Sequence, residues 1–85
     1  MISKTTPEFW KSFQLLPKDI QDLAREKFNR WLDDPFHPAL HFKELHTGLW
    51  SVRVNVQYRA LGLRDNDLIV WFWIGSHAEY DRLIS

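Results

Sequence analysis

Ile69-Val70-Trp71-Phe72-Trp73-Ile74-Gly75-Ser76-His77-Ala78-Glu79-Tyr80-Asp81-Arg82 is the stretch on which the reading of this chain turns. It opens with six apolar residues rich in β-branched and aromatic types and closes with a burst of ionisable ones. That is the pattern of a buried central strand that delivers polar side chains at its end. Gly75 lets the backbone turn there, and His77 has the one side chain in the stretch whose ordinary pKa suits proton transfer near neutrality. The same residues also spell a plain helix start, with Ser76 as N-cap and Glu79 as its capping-box partner. The two readings are compatible, because a helix start is also a place where anions bind.

Working outward, residues 50–57 alternate Trp50, Val52, Val54 and Val56 with Ser51, Arg53, Asn55 and Gln57, the pattern of a half-buried strand with Arg53 on its polar face. Residues 58–63 form the next strand and carry Arg59, and Asp65-Asn66-Asp67 marks the hairpin turn into the apolar strand. Before these, residues 41–46 read as a short strand or irregular lead-in, turned by Thr47-Gly48. Residues 78–84 suffice for one or two helical turns.

The N-terminal half has a different period. Either Thr6 caps a helix with Pro7 at its first position, or Thr5 caps it with Glu8 as box partner; Phe9, Phe13 and Leu16 then share one face. Pro17 separates this helix from a second, in which Ile20, Leu23, Ala24, Phe28 and Trp31 form a stripe that ends by Asp34. Residues 1–4 read as a loose end. The expected fold is therefore α+β: two N-terminal helices packed on a small antiparallel sheet, with a short C-terminal helical turn and the other sheet face left open.

Eighty-five residues make one domain, taken as 1–85, near the lower limit for an unaided core. Five tryptophans and a 15% aromatic share supply bulk for that core or for a partner surface. The absence of cysteine excludes disulfides and thiolate zinc sites and points to a reducing cytoplasm. No stretch is long enough to span a membrane as an apolar helix. Eleven basic residues balance eleven acidic ones, so a nucleic-acid partner would require a local basic patch.

Four histidines raise the question of a metal, but Pro38 lies between His37 and His41 and no carboxylate completes a ligand motif, so no metal or other cofactor is expected. Ser76 lacks a nucleophile-elbow context, and no glycine-rich phosphate loop exists. Lys43, His46, Arg53, Arg59, His77, Tyr80 and Arg82 remain in the strand half. Metal-free RNA cleavage needs a base for the 2′-hydroxyl, cations for the phosphorane and an acid for the leaving 5′-oxygen. These side chains cover those roles, and Tyr80 or Trp50 could stack a splayed base.

The series Lys43-x-Leu45, Trp50-Ser51-Val52-Arg53-Val54, Tyr58-Arg59-Ala60-Leu61 and Trp73-Ile74-Gly75-Ser76-His77-Ala78-Glu79-Tyr80-Asp81, preceded by two helices, resembles the RelE/ParE superfamily of toxin–antitoxin toxins. The likeness covers roughly residues 7–84, and its Gly-Ser-His ending is closest to the YafQ- and HigB-like branch. It implies a microbial RNase-like fold, metal-independent cleavage of messenger RNA in the ribosomal A site, and neutralisation by a cognate antitoxin, in a complex that can be of higher order. By motif position it implies His77 as the acid or base, Arg53 and Arg59 as phosphate-stabilising cations, Lys43 and His46 as further charge or proton transfer, and either Tyr80 or Asp81 as the residue that orients the substrate. Joined to the reading of the residues themselves, this gives a candidate catalytic set of His77, Arg53, Arg59, Tyr80 and Asp81, with Lys43, His46, Arg82 and Trp50 contacting RNA. A ParE-like gyrase inhibitor and a non-catalytic interaction domain are the alternatives of the same fold. The family begins with a strand and is commonly basic, whereas residues 1–6 are poor in strand formers and the chain is neutral.

Overall fold

The computed structural model describes residues 1–84; Ser85, the last residue of the expected domain, lies outside them. The chain runs β1 (Ile2–Thr5), α1 (Pro7–Gln14), α2 (Lys18–Asp33), a 3₁₀ turn (Pro38–Leu40), β2 (Lys43–His46), β3 (Leu49–Arg53), β4 (Tyr58–Asp65), β5 (Leu68–Ser76) and α3 (His77–Ile84). One five-stranded sheet results, in the order β1-β5-β4-β3-β2. The α+β class and the helix pair are as expected, but the sheet is mixed, because β1 lies parallel to β5 while the other pairs are antiparallel.

Strand β1 corrects the reading of residues 1–4 as a loose end. Its own composition says little, but β5 offers it a long apolar edge. Ile2 N–H donates to Asp67 O at 2.6 Å, Thr6 N–H donates to Trp71 O at 3.1 Å, and the Trp71 indole donates to Ser3 Oγ at 3.1 Å. Tertiary pairing here outweighs weak strand propensity. Of the two possible caps for α1, Thr6 is the one used: its hydroxyl accepts from Phe9 N–H at 3.1 Å, with Pro7 at the first helical position. Thr5 instead accepts the Trp10 indole N–H at 2.9 Å.

The strand expected over residues 50–57 stops at Arg53. The Asn55 side chain accepts from the backbone N–H groups of Gln57 and Tyr58 at 2.8 and 2.9 Å, so an Asx-type turn takes over from the ladder and leaves Val56 exposed. The β4–β5 hairpin does turn at Asn66, which adopts the left-handed region at φ 53°.

Helices α1 and α2 cover one face of the sheet. Trp31, Leu40 and Ile69 are almost fully buried between them, and Trp31 meets the rings of Trp71 and Phe42 edge-on at 5.6 and 5.7 Å. Burial of each such side chain contributes about 1.5–3 kcal/mol. Opposite Leu61 and Gly62 the β5 register slips by one residue, so Trp71 and Ile74, three positions apart, both face this core. The face expected to stay open is partly covered: α3 packs back over it, Trp73 lies beneath α3 residues Glu79 and Leu83, and Ser51 and Leu61 are buried.

Candidate functional site

Directly opposed residues in antiparallel strands point to the same face. Arg53 on β3 pairs with Arg59 on β4, which pairs with Gly75 on β5. Their row is on the face away from α1 and α2, because the neighbouring row of Val52, Ala60 and Ile74 points under the helices. Two guanidinium side chains are thus set side by side, their Cα atoms roughly 4.5–5.5 Å apart.

Helix α3 supplies the adjoining groups. Its start is fixed twice: His77 N–H donates to Gln57 O at 2.6 Å, and Ser76 and Glu79 form the expected capping box, Glu79 N–H donating to Ser76 Oγ at 3.2 Å. Tyr80 follows one turn on and is 6% exposed. The Arg59 guanidinium carbon lies 4.5 Å from the centre of the Tyr80 ring, and the His77 ring meets Tyr80 at 5.8 Å. His77 itself is half-exposed, and its Nδ1 is 3.0 Å from Asp81 Oδ2, one helical turn away.

On the other side of the pair, His41 Nε2 lies 3.4 Å from Arg53 Nη1. His41 holds a left-handed backbone, φ 45°, at the end of the 3₁₀ turn. A non-glycine residue in that region is worth a functional question. The Arg53 Nε is buried and without a partner, an unsatisfied cationic atom at this place. The result is a row in which His41 touches Arg53, Arg53 and Arg59 are neighbours by strand pairing, and Arg59 leads through Tyr80 to His77 and Asp81. It sets two imidazoles at the ends of a cationic pair, an arrangement able to hold a phosphate and move a proton on either side of it.

Of the residues expected from sequence, His77, Arg53, Arg59, Tyr80 and Asp81 are brought together. Lys43 pairs with Ser51 on the same face, two positions and roughly 7 Å along the strand from the Arg53 row. His46, past the β2 irregularity, pairs with Leu49 and sits roughly 13 Å from that row. Arg82, on α3, lines a shallow hollow with Glu79 of the same helix and Trp73 of β5. Trp50, expected among the RNA contacts, is on the opposite face: it pairs with Gly62 and packs against Phe42 at 4.6 Å, with the Arg64 guanidinium over its ring at 4.7 Å. The reason is phase, since Trp50 and Arg53 are three positions apart on one strand. His41 was missed as a site residue. Its sequence context suggests only a metal ligand shared with His37, whose Nδ1 in fact accepts from Ala39 N–H at 3.1 Å. Among the described residues no cluster of three or more histidine, cysteine or carboxylate side chains could hold a metal ion.

The family described as the ParE-like toxin domain matches residues 18–82. No curated protein matches the chain in sequence. Among solved structures, the chain is similar to a chain of the RelB-RelE antitoxin-toxin complex from Methanococcus jannaschii, with TM-score 0.76, 13% identity, and 96% of this chain and 99% of that one covered. It is similar to YafQ from E. coli with TM-score 0.70 and 16% identity, covering 92% and 94%. A chain of the toxin-antitoxin complex RelBE2 from Mycobacterium tuberculosis gives TM-score 0.70 and 22% identity, with 91% of each chain covered. At these identities the likeness is one of fold.

Proposed function

Because the chain belongs to the ParE-like toxin family of the RelE/ParE superfamily, we propose that it is a metal-independent endoribonuclease that cleaves messenger RNA on the ribosome and is held in check by a cognate antitoxin. The observation that carries this reading is the Arg53–Arg59 pair flanked by two histidines, one of them braced by Asp81. A ParE-like gyrase inhibitor needs no proton carrier, and neither does an interaction domain.

In the proposed reaction one imidazole takes the proton of a 2′-hydroxyl, whose oxygen attacks the adjacent phosphorus. The P–O2′ bond forms, the P–O5′ bond breaks, and the other imidazole gives a proton to the departing 5′-oxygen. Arg53 and Arg59 neutralise the extra charge on the phosphorane, which is where preorganised cations accelerate such a step most. His77 is the first proton carrier of the pair, with Asp81 fixing its tautomer and the orientation of its ring. His41, beside Arg53, is the second. Tyr80 is a positioning residue, its ring filling the space between Arg59 and His77. Lys43 extends the cationic track for the RNA backbone, and His46 and Arg82 lie on its margins.

A brief pulse of expression separates the readings. Primer extension on cellular messenger RNA should show cuts within translated frames in the wild type and none with His77→Ala. A DNA-damage response with intact messages would instead favour the gyrase reading, and unaltered growth the interaction domain. Cleavage undiminished in His77→Ala would remove His77 from the mechanism.

A further inference from the structure

Between α1, α2 and the sheet lies a cavity of about 310 Å³, a size that takes small ligands. Its walls are largely aromatic, formed by Phe9, Trp10, Phe13, Phe28, Trp31 and Trp71. Two charged side chains line it, Arg25 and Lys27, and both are cationic; no carboxylate among the described residues joins them. The Arg25 guanidinium lies against the Phe13 ring at 4.9 Å, so positive charge is held at an aromatic wall.

One side chain of this lining carries a buried hydrogen-bond donor that lacks an acceptor. Trp31 is 1% exposed, and its Nε1–H is unpartnered. The neighbouring indoles are satisfied: Trp10 donates to Thr5 Oγ1 at 2.9 Å and Trp71 to Ser3 Oγ at 3.1 Å. Buried donors are almost always paired, and one left over in a cavity wall points to an absent acceptor. Aromatic walls, an orphaned donor and cationic charge together describe the complement of one kind of molecule.

We propose that this cavity binds a small aromatic carboxylate, its ring held among the aromatic side chains, an acceptor oxygen taking the Trp31 Nε1–H and its negative charge facing Arg25 and Lys27. The site is separate from the histidine–arginine row and does not depend on what that row does. Its floor is Val52, Ala60 and Ile74, which sit on the same strands as Arg53, Arg59 and Gly75 but face the other way.

The test uses the full chain labelled with nitrogen-15 and 1-naphthaleneacetate as the probe. The five tryptophan indole N–H signals are followed by two-dimensional NMR, that of Trp31 being assigned by its loss in Trp31→Phe. Expected is a saturable titration in which the Trp31 signal moves furthest, downfield, as its proton gains an acceptor. Arg25→Gln, at an exposed helix position, should weaken binding roughly three- to fivefold. The neutral 1-naphthaleneacetamide should be weaker by a similar factor. Ala24→Leu, which places extra bulk in the cavity wall, should abolish the shift. An unmoved Trp31 signal, a drift that never saturates, equal binding of acid and amide, or a response to an added protein partner but not to the probe would each overturn the proposal.

Discussion

Arg53 and Arg59 stand directly opposite each other on β3 and β4, and among the described residues neither is joined to a carboxylate. Like charges so placed oppose folding by roughly 0.2–1 kcal/mol, and the buried Nε of Arg53 adds its own desolvation. The pair is a cost that an anionic ligand would relieve. Arg53→Gln should therefore stabilise the free protein, by about 0.5–1 kcal/mol in urea titration, while weakening RNA cleavage. Added salt should raise the stability of the wild type more than that of the variant, because it screens the repulsion. A variant that is both less stable and fully active would contradict this.

His77→Ala should lower ribosome-dependent cleavage by about 10²- to 10⁴-fold, the range for a lost proton carrier. Its stability should stay within about 0.5 kcal/mol of the wild type, because the side chain is half-exposed. Asp81→Asn keeps a hydrogen-bonding group beside the ring but removes the charge, so a smaller loss, roughly tenfold, is expected. His41→Ala should match His77→Ala in order of magnitude. Single-turnover rates on programmed ribosomes, with thermal melts alongside, would check all three.

Trp50→Leu distinguishes the two faces. The indole packs with Phe42 and Phe36 and lies under Arg64, so its loss should cost about 2–4 kcal/mol of stability. At a temperature where the variant remains folded, its cleavage rate and RNA affinity should equal those of the wild type. A selective loss of RNA affinity would return Trp50 to the nucleic-acid interface.

Gly62 sits where a Cβ would come within 2.8 Å of Trp71 Cε3 and 2.9 Å of Ile69 Cγ1. Both neighbours are buried, so neither ring nor branch can swing into solvent. Gly62→Ala should destabilise by about 1–3 kcal/mol through overpacking, measurable as a lower urea midpoint with an unchanged slope.

Much of this was legible from residue order alone. Helix α2, the β4–β5 hairpin and the capping box at Ser76 each rest on local signals, a 3.6-residue stripe, a turn tripeptide and a three-residue spacing, and each formed as read. What stayed hidden depends on partners distant in sequence. Strand β1 exists because β5 accepts it, and Gly75 lacks a side chain because the Trp73 indole occupies that space. Strand β3 ended early because Asn55 competes for backbone donors, which alternation cannot reveal. His41 escaped notice for the same reason as β1: only the folded chain brings it beside Arg53.

The parallel pairing of β1 with β5 has a consequence for how the protein comes into being. Ile2 is aligned with Leu68, so β1, once it leaves the translating ribosome, must wait for β5 before it has a neighbour. Such distant closure slows folding, and the imidazole at position 77 follows β5 in the chain. A nascent copy thus has neither a complete sheet nor a seat for that imidazole until synthesis has carried β5 clear of the exit.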